Sequence, residues 1–260
     1  MLDSLRELYR HRDLLILWTI RDVKVRYKQS ILGAAWAVIQ PISVMVVFTL
    51  IFSLIARLPS DGKPYPIFSY SALLPWTLLS TSLTIAIPSL VSNMSLVTKT
   101  YFPREILPIA AVAASFVDFL ISAVVFAVMM IYYHVAITPS VISIPLLIIA
   151  QLVLILGVAL WASALNVFYR DIRFVLPLVT QIWMYVTPVI YPISMVPARF
   201  RALYMLNPMA GIIDGYRRAL LFGQYPDWGY LGLATALSVA ILLLGYRYFK
   251  QAESQFADLI

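Results

Sequence analysis

The sequence predicts an all-α membrane protein. Six transmembrane helices follow an N-terminal amphipathic interfacial helix, and short re-entrant helices precede the last span. Three observations carry this. The chain is 62% hydrophobic and only 12% charged, about half the charged share of a soluble domain. The charges are also missing in blocks: none falls between Lys28 and Arg57, Lys63 and Lys99, Asp118 and Arg170, Arg173 and Arg199, or Asp227 and Arg247. Each block is long enough to cross about 30 Å of hydrocarbon at about 1.5 Å per helical residue, and the third holds two crossings. Helices are the expected form, because backbone groups in lipid must pair within their own segment.

The spans are placed at 31–56, 67–91, 107–134, 141–168, 174–192 and 229–248. Tyr133, His134 and Pro139 mark the turn between the third and fourth. Pro41, Pro88, Pro145, Pro177 and Pro188 predict kinks or ends. Of the 19 Lys and Arg, only Arg57, Lys63, Arg199, Arg201, Arg217 and Arg218 fall opposite the N-terminal side, so both termini are expected in the cytoplasm. The charged N-terminus lacks the early apolar core of a cleavable signal, and the first span is expected to act as an uncleaved anchor.

Residues 1–30 form the N-terminal segment and 31–260 the membrane domain. Within 14–28, Ile16, Ile20, Val23 and Tyr27 make a narrow apolar stripe flanked by Arg21, Lys24 and Lys28 on one side and Asp22 and Arg26 on the other. Such a helix is expected to lie in the membrane interface. Two readings stand side by side: a basic anchor that sets topology, or a gate whose Arg21, Lys24, Arg26 and Lys28 attract an anionic lipid-linked substrate.

The cytoplasmic loop 92–106 carries Lys99, Tyr101, Phe102, Pro103, Arg104 and Glu105. Exposed Tyr101 and Phe102 among charges fit a docking surface, and fit equally a loop resting on the bilayer. Asp118 is the lone acid inside a predicted span. Its cost there, about 2.5–3.5 kcal/mol, demands an inward orientation, yet no intramembrane cation is evident as its partner. Segment 193–228 has apolar pieces too short to span, beside Asn207-Pro208 and Gly211, which suggests re-entrant helices or a folded external loop. Among the aromatics, Trp36, Trp76, Trp183, Tyr185 and Tyr191 are candidates to line a path, although most aromatics should serve packing or the interface belt. The C-terminal segment 249–260 returns to the cytoplasm.

Several chemistries are excluded. There is no cysteine, and His11 and His134 are the only histidines, so no thiolate or HExxH metal centre is expected. Gly62-Lys63 is followed by Pro64, with Arg57 where a phosphate loop requires glycine. No catalytic carboxylate pair or Gly-x-Ser-x-Gly is present. The charge of +7 is assigned to topology and lipid headgroups rather than nucleic acid.

Five ordered segments carry a family resemblance. They are Arg21 to Ser30 with Leu32-Gly33 and Trp36 to Pro41; Leu96 to Lys99 with Tyr101 to Glu105 and Leu107-Pro108; Asn166 to Ile172; Tyr185 with Thr187-Pro188-Val189; and Asn207-Pro208 followed by Tyr216-Arg217. Together they resemble the ABC-2 type permeases that export polysaccharides. The resemblance implies a homodimer in the bacterial inner membrane working with two cytoplasmic ATPase subunits, which would bind the ATP and magnesium; no cofactor is expected in this chain. It implies an entrance gate at Arg21, Lys24, Arg26, Tyr27 and Lys28. It also implies ATPase coupling through Lys99 to Glu105, and an outer re-entrant region with Asn207, Pro208, Tyr216 and Arg217. The implied substrate is an O-antigen, capsule or teichoic-acid-like polymer on a lipid anchor. The competing readings are an ABC-2 exporter of drugs or small lipids, and an intramembrane enzyme acting on lipid-linked sugars.

Overall fold

The computed structural model describes residues 7–28, 32–99 and 102–256, and these are helices and short connections throughout, with no strand among them. Helix α1 spans Arg12–Tyr27. Helix α2, Trp36–Phe48, contains Pro41 and runs on through a π-helical stretch, Thr49–Ile55. Helix α3 is Tyr65–Ala86, and Pro88 separates it from the short α4, Ser89–Ser92. After α5, Met94–Lys99, come α6, Ile106–Tyr132, and α7, Ile144–Phe168, whose first turn holds Pro145 at a position that needs no N–H donor. Helix α8, Ile172–Val186, contains Pro177 and stops before Pro188. Two short helices follow, α9, Ala198–Tyr204, and α10, Pro208–Arg217. The last is α11, Trp228–Ala252, capped by the Asp227 carboxylate, which accepts from the Gly229 and Tyr230 amides at 3.0 and 3.2 Å.

Four stretches are long and apolar enough to cross a membrane: Trp36–Ile55, Ile106–Tyr132, Pro139–Phe168 and Trp228–Gln255. Two of the six expected spans fall outside this set, and the reasons differ for the two helices concerned. α3 has the length, but Ser69, Ser71, Thr77, Ser80, Thr81, Ser82 and Thr84 dilute its apolar character. It tolerates them because it is the central helix, buried along most of its length. The hydroxyls of Ser69, Ser71 and Ser80 donate to carbonyls one turn back, as Ser71 does to Phe68 at 2.7 Å. α8 is apolar but has 15 residues, about 22 Å.

α3 organises the larger apolar core, in which Ile67, Phe68, Tyr70, Leu79 and Leu83 meet residues of α6, α7 and α10. The longest seams are α7 against α11 and α3 against α6. The first seam is tight for a definable reason. A Cβ on Gly157 would sit 2.6 Å from the Leu242 backbone nitrogen, and one on Gly245 would strike the Gly157 carbonyl oxygen. The two backbones therefore touch, as small residues allow in membrane helix pairs. A smaller core gathers Trp18, Leu90, Val97, Phe102, Ile106, Phe249 and Phe256, so the described N- and C-terminal segments share one end of the bundle.

α1 departs from the expected flat interfacial pose. Trp18 shares the smaller core with Ile106, Leu107 and Ala110, while Arg26 and Tyr27 reach Asp118. Eight residues of helix rise, about 12 Å, separate the contacts on both α1 and α6. α1 thus climbs alongside α6. Its covered side is Leu15, Trp18, Asp22 and Arg26 together with Val23 and Tyr27 of the apolar stripe read from the sequence, whereas the stripe's Ile16 and Ile20 are 54% and 44% exposed. The Arg26 ion pair holds the end of the helix against the half-buried Asp118 carboxylate, and Trp18 holds its middle in the smaller core.

Candidate gate, docking and outer-loop sites

The first site is a cavity of about 340 Å³ between α1, α2, α3 and α6. Gln40, Thr77, Thr81, Ser115 and Ser122 supply hydroxyl and amide groups to its wall, and Trp36 an aromatic face. Its charged members are Arg26 and Asp118. The Arg26 guanidinium donates to one carboxylate oxygen of Asp118, and the Tyr27 hydroxyl donates to the other at 2.5 Å. Asp118 therefore does have a cation. The partner comes from a helix outside the spans, which is why no scan of the spans finds it. Arg21 stacks on Trp18, 4.1 Å from the ring centre, and donates to Asn93 Oδ1 at 3.2 Å, tying α1 to the start of α5. Lys24 and Lys28 are exposed.

The second site is the loop before α6. Tyr101 and the Lys99 side chain lie outside the described residues. Phe102 is 6% exposed and Pro103 is buried, which corrects the expectation of an exposed Phe102: the ring fills the smaller core beneath the loop. Burying that aromatic stabilises the fold by about 2 kcal/mol or more, so Phe102 seats the loop instead of meeting a partner. Arg104 donates to the Glu253 carbonyl, and its own amide donates to the Glu253 carboxylate at 3.3 Å. Glu105 is fully buried and accepts from Lys250 Nζ at 2.8 Å; Lys250 also donates to Glu253 at 2.9 Å. Burial pushes the Glu105 carboxyl above its ordinary range, against the pull of Lys250. The loop and the end of α11 are thus bolted together.

The third site lies at the opposite end. Asn207 caps α10 by accepting from the Met209 amide at 3.2 Å; it accepts from Trp183 Nε1 at 2.9 Å and donates to Thr187 Oγ1 at 2.9 Å. Pro208 fills the first turn of α10, where a missing N–H costs nothing. Tyr216 donates to Gln151 Oε1 at 3.2 Å, and Gln151 Nε2 donates to the Pro75 carbonyl of α3 at 2.6 Å. Arg217 is buried over the Phe68 ring and donates to the carbonyls of Pro188, Val189 and Tyr191 at 2.5, 2.7 and 2.9 Å. One planar fork holds the turn after α8 against α10.

The aromatic candidates separate. Trp36 is half-exposed on the first cavity. Trp76, 5% exposed, packs edge-on to Trp183 inside the bundle, which removes it as a wall of any path within this chain. Tyr185 is exposed, and Tyr191 donates to its carbonyl at 2.9 Å while bonding to the Tyr204 hydroxyl.

Sequence reasoning missed Lys250, Glu253, Gln151, Gly157 and Gly245. Gln151 carried a signal, an amide deep in an apolar span that required a partner. Lys250 counted only as a topology charge.

Helices of spanning length, a basic helix climbing into a polar cavity and a loop bolted to the last helix describe a membrane transport subunit. The sequence profile of the ABC-2 type transporter family matches residues 13–221, and the chain belongs to that family. It is 31% identical over 251 residues to an O-antigen export system permease protein RfbA of Klebsiella pneumoniae, covering 95% of each chain. It is 30% identical to the RfbA of Myxococcus xanthus over the whole of both. To the polysialic acid transport protein KpsM of Escherichia coli it is 21% identical, over 90% of this chain and 91% of the other.

Proposed function

We propose that this chain is the permease subunit of an ATP-driven exporter that moves a lipid-linked polysaccharide out across the bacterial inner membrane. The end-to-end likeness to O-antigen export permeases carries this reading. A long polar polymer needs a protected path through hydrocarbon, whereas its lipid anchor needs sideways access to the bilayer.

On this reading α3 and α8 complete six crossings, and both termini are cytoplasmic, since their shared end carries most of the chain's Lys and Arg. Two copies pair through α2 and α8. Almost nothing on these helices is buried within one chain, and Val46, Leu50, Leu54, Phe174, Leu178 and Ile182 point outward. α8 is shorter than the hydrocarbon is thick, so protein neighbours on that face relieve the mismatch. Two cytoplasmic ATPase subunits hold the ATP and magnesium and push on the segment from Lys99 to Glu105. The Glu105–Lys250 bond passes that push to α11. Arg21, Lys24, Arg26, Tyr27 and Lys28 form the gate for the lipid diphosphate, and α9 and α10, with Asn207, Pro208, Tyr216 and Arg217, are the re-entrant pair at the outer face.

The test is reconstitution of the chain with its cognate ATPase in proteoliposomes supplied with lipid-linked glycan. Export that needs ATP and both subunits is expected. Glycan movement by the chain alone without ATP overturns the proposal.

A further inference from the structure

The cavity beside α1 already contains a miniature of the ligand proposed for it. Arg26 is a guanidinium fork held by a carboxylate, and the Asp118 carboxylate is fully engaged, one oxygen by Arg26 and the other by Tyr27. The second terminal nitrogen of Arg26 has only a 3.5 Å contact with Ser115 Oγ, so the fork retains donor capacity on that side. Around the pair the wall is hydroxyl, amide and indole, the neutral surface that suits a sugar ring. Lys24 and Lys28 stand exposed two residues to either side of Arg26, on the outer side of the helix, away from the cavity. α1 therefore offers an anion two exposed cations on its outer side and a third, occupied, facing the cavity.

A guanidinium binds phosphate through the same paired N–H bonds that it offers a carboxylate, so the two compete for one fork. We infer that Asp118 is a resident counter-ion: it holds Arg26 and α1 in the closed position until the phosphate of a lipid-linked sugar displaces it. The exchange regulates the gate and rests on the exporter reading above. Displacement frees α1 from α6 and leaves the carboxylate to accept from sugar hydroxyls. The resident competitor lowers the apparent affinity by the fraction of time the pair is open, so its removal tightens phosphate binding. A merely structural pair predicts the reverse.

The full chain, in nanodiscs of phosphatidylethanolamine, is titrated with farnesyl diphosphate as the prenyl diphosphate probe, with binding read by thermophoresis. Asp118→Asn is expected to bind about tenfold tighter than the natural chain, which corresponds to a pair open about a tenth of the time. Tyr27→Phe, which keeps the ion pair, is expected to tighten binding by about two- to threefold, and Arg26→Gln to weaken it at least about tenfold. Equal or weaker binding by a monodisperse Asp118→Asn overturns the inference. Should that variant not fold, Tyr27→Phe decides, and no tightening there is equally fatal. Inorganic pyrophosphate binding as tightly as the prenyl form, or phosphatidylglycerol abolishing the binding at equal mole fraction, assigns the site to free anion or bulk headgroup and also overturns it. ATP-driven export by the natural complex is scored separately. Export without the expected order of affinities sinks only the counter-ion, whereas that order without export sinks the exporter reading.

Discussion

Replacing Lys250 by Met tests whether the loop before α6 and the end of α11 act as one piece. Glu105 is fully buried, and Lys250 is the cation against it at 2.8 Å. Removing one member of a buried pair costs about 3–5 kcal/mol, because the remaining charge is left in a poor dielectric. The Lys250 side chain is 24% exposed, so water reaches the gap and the lower figure, about 3 kcal/mol, applies. Glu253 keeps the Arg104 amide as a donor. The double variant Glu105→Gln with Lys250→Met removes both charges and should return to within about 1 kcal/mol of the natural chain. The six tryptophans report thermal unfolding in detergent. About 2–4 °C per kcal/mol gives a drop of roughly 6–12 °C for the single change and little for the double. The sign with pH follows from Glu105. Its folded-state value is raised by burial above its unfolded value, so folding eases its protonation. The deficit of Lys250→Met should be smallest at acid pH, where Glu105 is protonated, and grow as pH rises through that raised value. A loss under about 1 kcal/mol, or a double variant no better than the single, refutes the reasoning.

Two further outcomes follow from particular contacts. Gly157→Ala would drive a methyl into the Leu242 backbone and should cost about 1–3 kcal/mol; an unchanged melting temperature contradicts the close crossing. Arg217→Met leaves the carbonyls of Pro188, Val189 and Tyr191 without their shared donor, at about 1.5–3 kcal/mol for each charged hydrogen bond lost. Faster proteolysis at 192–197 should accompany it, and wild-type resistance there would show that the fork holds nothing.

The helices were legible because the membrane signal is local: a run without charge, long enough to span, is visible wherever it falls. The α6 and α7 boundaries lie within three residues of the charge-gap reading. What escaped depends on neighbours distant in sequence. Arg26 and Asp118 are 92 residues apart, and nothing in either segment nominates the other. Phe102 reads as exposed because loop residues usually are; it is buried because Trp18 and Phe249 close over the same core. The lack of charge in α3 is legible in the sequence, whereas its serines and threonines are accounted for only by its being wrapped by protein. Of the stripe read on α1, Val23 and Tyr27 are covered while Ile16 and Ile20 are exposed, because the packed side also takes in Trp18 and Arg26.

The touching backbones at Gly157 and Gly245 have a mechanical corollary. Two rods in direct main-chain contact have no compliant layer in which to slide, so α7 and α11 move together as a strut. Any widening must then be sought among the sparsely covered α2 and α8.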